Sequence, residues 1–270
     1  MNKLIIITDS ASDISNNNTI SNVDVIAKRY RYLNDSNIYY DDFKDNLMKS
    51  SIIDFKINEE DIYQTLVNNY QKGITNFLVI VPSNSNYNEY LNAVNRFKEC
   101  YHVNVSINKS KLTSVSLLAL INDLNEFIES GKDIEYLNNY IARSEQYYNM
   151  LIMTKNFSRL NLSGSEASIA SMQLSGHRDI VLEKNTNGYQ VVKYKSVSED
   201  VYRLILSNIK EKMEYNSPIV IGVGKRINDA DHLGEMLYQE LGNENIIMTQ
   251  LSKEMINTSG EDAITLSYKR

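Results

Sequence analysis

The chain opens on a run that leaves few folds available to it. Leu4-Ile5-Ile6-Ile7 is wholly apolar and rich in β-branched side chains. That is the make-up of a strand buried on both faces, as in a parallel sheet. The run stops at Thr8, Asp9, Ser10, Ser12 and Asp13. Short hydroxyl and carboxylate side chains bond nearby backbone groups, so they favour turns and start helices. After a buried strand they sit at its carboxyl end, where open α/β sheets bind ligands. A plain turn with a helix cap and a ligand-binding strand end both fit these residues.

The pattern that follows repeats the first motif. Val23 to Leu33 reads as a strand despite Lys28, Arg29 and Arg31, Asp35-Ser36-Asn37 as a turn, and Ile38-Tyr39-Tyr40 as a short edge strand. Asp41 to Asp54 reads as a polar connection without a clear period. Asn58 caps a helix whose first turn is acidic and whose apolar positions Ile62, Leu66 and Tyr70 recur at helical spacing until Gly73. Phe77 to Val81 is a buried strand ended by Pro82, and Tyr90, Ala93, Val94 and Phe97 then share one helical face. Val103 to Ile107 is another strand, Val115 to Phe127 a helix, and Ile134 to Tyr148 a second one. This alternation predicts a parallel sheet with right-handed crossovers. It brings Asp9 with Ser10, Ser83 with Asn84, and Asn108 with Ser110 to one sheet edge.

Near Tyr148 the pattern changes. Met150 to Met153 is a strand, and Ser163 with Glu166 forms a capping box for a helix through Met172. Ile180 to Leu182 and Tyr189 to Tyr194 flank Asn187-Gly188, a hairpin signal that brings in antiparallel pairing. A helix over 199–213, a strand over 219–223, a helix over 229–241, a strand over 246–249 and a closing strand over 263–268 follow. The expected fold is α/β in two domains: a Rossmann-like parallel domain over 1–147 and a mixed, partly antiparallel domain over 148–270.

Composition narrows the function. A net charge of −6 argues against nucleic-acid binding, which needs a basic patch. Cys100 is the single cysteine, so no internal disulfide forms, and a reducing, cytoplasmic location is expected. His102, His177 and His232 are too scattered for a metal site, and no metal or cofactor is expected. No apolar run reaches the ~20 residues of a membrane span. Gly222-Val223-Gly224 lacks the third glycine of a dinucleotide loop, and no phosphate loop or G-x-S-x-G elbow occurs. Cys100 reads as an ordinary buried or half-buried thiol.

The stretch Thr8-Asp9-Ser10-Ala11-Ser12-Asp13-Ile14 resembles the opening T-D-S-x-x-D-[LI] of the DegV family, bacterial fatty-acid-binding proteins, some of which present the acyl chain to a fatty acid kinase. Tyr39-Tyr40-Asp41-Asp42 is similar to the family's later Y-x-D segment, and the order of elements also fits. Elsewhere this chain departs from the pattern. The family's T-S-Q-P-S stretch, which helps hold the acyl carboxylate, aligns with Asp54 to Asn58. Its S-S-x-x-S-G-T-Y segment aligns with Ser83 to Tyr90, where Ser83 and Tyr90 persist while the S-G-T core is gone. Its terminal H-T-G-P-G aligns with Thr258-Ser259-Gly260-Glu261-Asp262, and Arg159 lies in the loop of its G-G-R turn.

The resemblance implies a lipid carrier without a catalytic nucleophile, holding a fatty acid or related acyl lipid between the domains. Asp9, Ser10, Ser83, Asn84, Ser110, Thr258 and Ser259 would line the head-group end, with Arg159 facing a phosphate or a kinase partner. Burying a sixteen-carbon tail at ~0.8 kcal/mol per CH₂ contributes on the order of 12 kcal/mol, so a tail tunnel survives head-group changes. Asp54 beside a carboxylate is repulsive unless one of the two is protonated or Lys56 or Lys109 intervenes. Two other readings are a phosphotransfer enzyme using Lys109, Arg159 and Lys225, and a scaffold that binds no small ligand.

Overall fold

The computed structural model describes residues 3–15, 18–43, 52–155, 180–185, 188–194, 198–214, 217–242 and 244–270. The helix expected over 163–172, Arg159, His177 and the hairpin tip at 186–187 lie outside the described residues.

In chain order the described elements are β1 (Leu4–Asp9), β2 (Val23–Ile26), β3 (Arg29–Tyr32), β4 (Tyr39–Tyr40), β5 (Ile52–Lys56), α1 (Glu59–Gln71), β6 (Asn76–Val81), α2 (Tyr87–Cys100), β7 (Asn104–Lys109), α3 (Ser114–Glu129) and α4 (Ile134–Ser144). They continue with β8 (Tyr148–Thr154), β9 (Ile180–Asn185), β10 (Gly188–Tyr194), α5 (Ser198–Lys212), β11 (Ile219–Val223), α6 (Ile227–Leu241), β12 (Ile246–Gln250), α7 (Lys253–Ser259) and β13 (Ile264–Lys269).

Three sheets result. The first is wholly parallel, in the order β2-β1-β6-β7. The second is mixed, in the order β10-β9-β8-β13-β11-β12, with only β11 and β12 parallel. The third is a small antiparallel sheet, β4-β3-β5. The stretch expected as one strand over 23–33 is two. Val23–Ile26 pairs with β1, Arg29–Tyr32 joins the small sheet, and the break between them carries the buried Lys28. β5 begins within the stretch that reads as a polar connection, Asp41 to Asp54, and runs two residues past it. Its short, charged sequence is held by pairing with β3 and by stacking of Phe55 and Tyr39 on Tyr30.

One face of the parallel sheet, carrying Ile5, Ile7, Phe77 and Val79, packs on Leu66, Tyr90 and Phe97 of α1 and α2. The other face, carrying Leu4, Ile6, Leu78 and Ile80, shares a core with α3 and with Met150, Ile152, Ile180 and Leu182 of the second sheet. α3 is therefore the wall between the sheets, packed on β8, β11 and β13. Its buried positions run almost all round its first turns, Ser114 to Ile121, as a helix sandwiched between two layers requires. The glycine pair that superficially suggests a dinucleotide loop serves this packing. A Cβ on Gly222 would stand 2.7 Å from Val115 of α3 and 2.5 Å from Thr265, so only glycine fits. On the outer face of the second sheet, α5 and α6 cover Leu151, Ile221 and Tyr268. Cys100, at the end of α2, is exposed rather than buried.

Among the described residues no helix is long and apolar enough to cross a membrane. Nor does any group of three or more His, Cys, Asp or Glu among them suit a metal ion.

Candidate functional site

Because β1, β6 and β7 are parallel, their carboxyl ends share one edge, and the polar residues that follow each strand meet there. Asp9 is fully buried at its centre. One carboxylate oxygen accepts from the Ala11 backbone N–H at 2.9 Å. The other accepts from the Ser85 hydroxyl at 2.6 Å and the Tyr90 phenol at 2.8 Å. Burial and the Asp9 charge push the Tyr90 phenol well above its ordinary value, so it stays a donor. Asp9 thus ties β1 to the start of α2 and has no oxygen facing solvent. Thr8, one residue earlier, is also fully buried, and its hydroxyl has no hydrogen-bond partner among the described residues.

Lys28 reaches the same point from the break between β2 and β3. Its ammonium lies 2.6 Å from Glu254 Oε2 of α7 and 3.3 Å from Ser85 Oγ. Burial opposes its charge, but the carboxylates of Asp9, Glu254 and Asp41 outweigh burial and raise its pKa. The Lys28 backbone N–H donates to Ser10 Oγ at 3.2 Å. Ser10 in turn bonds the carboxylate of Asp41, which also accepts from the Lys253 N–H at 3.1 Å. Asp13, in the left-handed region at φ 55°, bonds the hydroxyl of Ser114, also at φ 55°, and accepts from the Ser252 N–H at 2.8 Å. Burial lifts Asp13 to about 6 and Asp41 to about 7, with the Glu254 charge adding to both. Glu254 is itself raised by burial, against the pull of Lys28. This network fastens the parallel sheet to α7 of the second sheet.

The other residues singled out in the sequence are distributed along the edge. Ser83 and Asn84 are exposed in the loop after β6, and Asn84 accepts from the Thr113 hydroxyl at 3.0 Å. Ser110 is buried and donates to Glu145, away from Asp9. Thr258 and Ser259 lie at the end of α7, where their hydroxyls donate to the carbonyls of Glu254 and Met255 at 2.8 and 2.7 Å. Of the cations of the phosphotransfer reading, Arg159 lies outside the described residues, and the other two have separate partners. Lys109 lies 6.0 Å from the Tyr87 ring, and Lys225 pairs with Glu261.

Lys28, Ser85 and Glu254 were missed by sequence reading, and so was Lys184. It sits on β9, half-buried, with its ammonium 3.5 Å from Ser83 Oγ across the gap between the sheets. No carboxylate pairs with it among the described residues, and burial pushes it down to about 8. The strand alternation was the available signal. Ile180 and Leu182 face the inter-sheet core, and position 184 shares their face.

Solved structures match this arrangement over its whole length. A DegV family protein of Eubacterium eligens loaded with heptadecanoic acid superposes at TM-score 0.81 and 14% identity, covering 98% of this chain and 99% of its own. The chain has the DegV fold. The fatty acid kinase (Fak) B3 protein of Streptococcus pneumoniae, loaded with linoleic acid, gives 0.80 at 13% identity and 99% coverage of both chains. A Thermotoga maritima protein described as having a fatty acid binding function gives 0.80 at 13%, covering 100% and 99%. No family model matches the sequence, and no curated protein matches it.

The segment aligned with the DegV T-S-Q-P-S stretch is β5 and the cap of α1. Asp54 accepts from Arg31 and pairs with Lys56, each at 3.1 Å. Burial alone would raise its carboxyl, but the hydrogen bonds and charges of Lys56 and Arg31 together outweigh it and hold the carboxyl below its ordinary value. These side chains, with Arg29, Tyr30, Ile38 and Glu89, line an open cleft of about 450 Å³. Two cations therefore flank the carboxylate that stands where the DegV pattern has a threonine.

Proposed function

We propose that the protein is a divergent DegV-type carrier that holds a long-chain fatty acid or related acyl lipid between its two larger sheets. In this reading it is cytoplasmic and not itself an enzyme, and it presents the acyl group to a kinase or acyl-transfer partner. One observation carries the proposal: the full-length match in fold to proteins crystallised with heptadecanoic and linoleic acid. The core supports it, since polar strand ends cap an apolar layer between two sheets, the setting an amphipathic ligand requires. Ser83, exposed at the edge, is the proposed head-group contact, with the exposed Asn84 beside it, although the Asn84 side chain already bonds Thr113 and Glu254. Asp9, Ser10, Ser110, Thr258 and Ser259, bonded within the protein, hold the edge in shape.

The test is direct. The purified full chain is extracted with organic solvent and the extract analysed by mass spectrometry. About one long-chain fatty acid per chain supports the proposal. A protein that comes out empty and takes up neither added oleate nor added palmitate overturns it.

A further inference from the structure

We infer that Lys184 is the cation that receives the ligand's carboxylate, with the acyl tail running back along the row of Ile180 and Leu182. The inference rests on the acyl-carrier reading and names the group that gives that site its selectivity. The buried charges of the edge are otherwise committed. Lys28 is held by Glu254, Asp9 is bonded on both oxygens, and Glu183, beside Lys184, turns to the opposite face and pairs with Arg270. Lys184 alone among them has a single neutral partner, the Ser83 hydroxyl at 3.5 Å, beyond the length of a strong hydrogen bond. A shielded ammonium without a counter-charge is costly, and an incoming carboxylate removes that cost. The depressed pKa shows how poorly the charge is now compensated.

Position supports the assignment as much as charge. Lys184 ends an inward-facing strand row whose previous members, Ile180 and Leu182, are buried in the shared core. A cation at the end of an apolar row matches a molecule with a charged head and a hydrocarbon tail. α3 packs on β8, β13 and β11, and at Gly222 it leaves no room for even one methyl group. A tail is thereby kept to the β9 side of α3, where Lys184 stands.

The experiment measures equilibrium binding of oleate and of oleyl alcohol to the delipidated full-length protein, its K184M variant and its K184R variant. The wild type is expected to bind oleate at least about tenfold more tightly than oleyl alcohol. K184M should lose about tenfold or more in oleate affinity with oleyl alcohol unchanged, and K184R should keep most of the oleate affinity. If K184M misfolds, K184Q gives the same comparison. Wild-type oleate affinity in K184M, or an equal loss for both compounds, overturns the role of Lys184 and leaves the carrier reading standing. A wild-type protein that binds neither compound overturns both.

Discussion

Two shielded lysines face the gap between the sheets, and they are solved in opposite ways. Lys28 is sealed in and held by Glu254, Ser85 and the fields of Asp9 and Asp41. Lys184 is half-buried and meets one hydroxyl. Burial acts against the charge of both, yet the pKa of Lys28 rises and that of Lys184 falls to about 8. The difference lies in the carboxylates supplied by other elements. A fully compensated charge fixes the position of the chain segments around it. An uncompensated one keeps its electrostatic interaction for something the chain does not provide.

Substitutions at the two lysines should therefore diverge. Lys28→Met leaves Glu254 and Asp41 buried without their cation, and urea unfolding should show a loss of about 3–5 kcal/mol. A loss under about 1 kcal/mol would mean the network is not what joins the sheets.

The next effect is on pH. Asp13 and Asp41 titrate near 6 and 7 when folded, against 3.8 when free. The folded state therefore holds more protons between those values. Their contributions are greatest below about 4 and disappear as pH rises through 7, on the order of 3 kcal/mol for Asp13 and 4 kcal/mol for Asp41. Denaturant midpoints from pH 4 to 8, wild type against Asp41→Asn, measure it, and parallel curves would contradict the assignment.

Tyr90→Phe removes one donor to a buried carboxylate and should cost about 2 kcal/mol in the same assay. Thr8→Val should go the other way. It deletes a buried hydroxyl without a partner and keeps the shape, and the expected gain is about 1 kcal/mol in thermal or chemical unfolding. Smallest is Lys184→Met. For a partly exposed group, stability should rise or stay within about 1 kcal/mol even though oleate affinity falls. A large destabilisation there would erase the contrast between the two lysines.

Much of the architecture was legible because it is local and periodic. Asn58 caps α1 through a bond to the Glu60 N–H at 2.9 Å, as its place before an acidic turn implies. Leu4 to Ile7 and Phe77 to Val81 read as buried strands, and their parallel pairing follows from the helices between them. What escaped is non-local. Lys28 and Glu254 are far apart in sequence, and nothing near either residue announces the other. The break at Lys28 is invisible because Val25 and Tyr30 continue an apolar pattern across it. α7 is too short to show a period, and β5 is a strand only by virtue of β3. At the candidate site, Asp9 and Ser83 were visible as residue types. Whether each bonds the protein or stays open was not, because that depends on Ser85, Tyr90 and Lys184 arriving from other elements.

The sandwiched position of α3 has a consequence during synthesis. Its apolar side chains Leu117, Leu118 and Ile121 emerge with the first half of the chain, but β11, which covers them, begins at Ile219. At ribosomal speed the interval between Glu129 and Ile219 lasts roughly 5 to 20 s. For that time α3 can lie on the parallel sheet, but its flank toward the second sheet stays an uncovered oily surface. A fragment ending at residue 147 keeps that exposure permanently, and such a truncation should bind chaperones or aggregate rather than persist as a free-standing half.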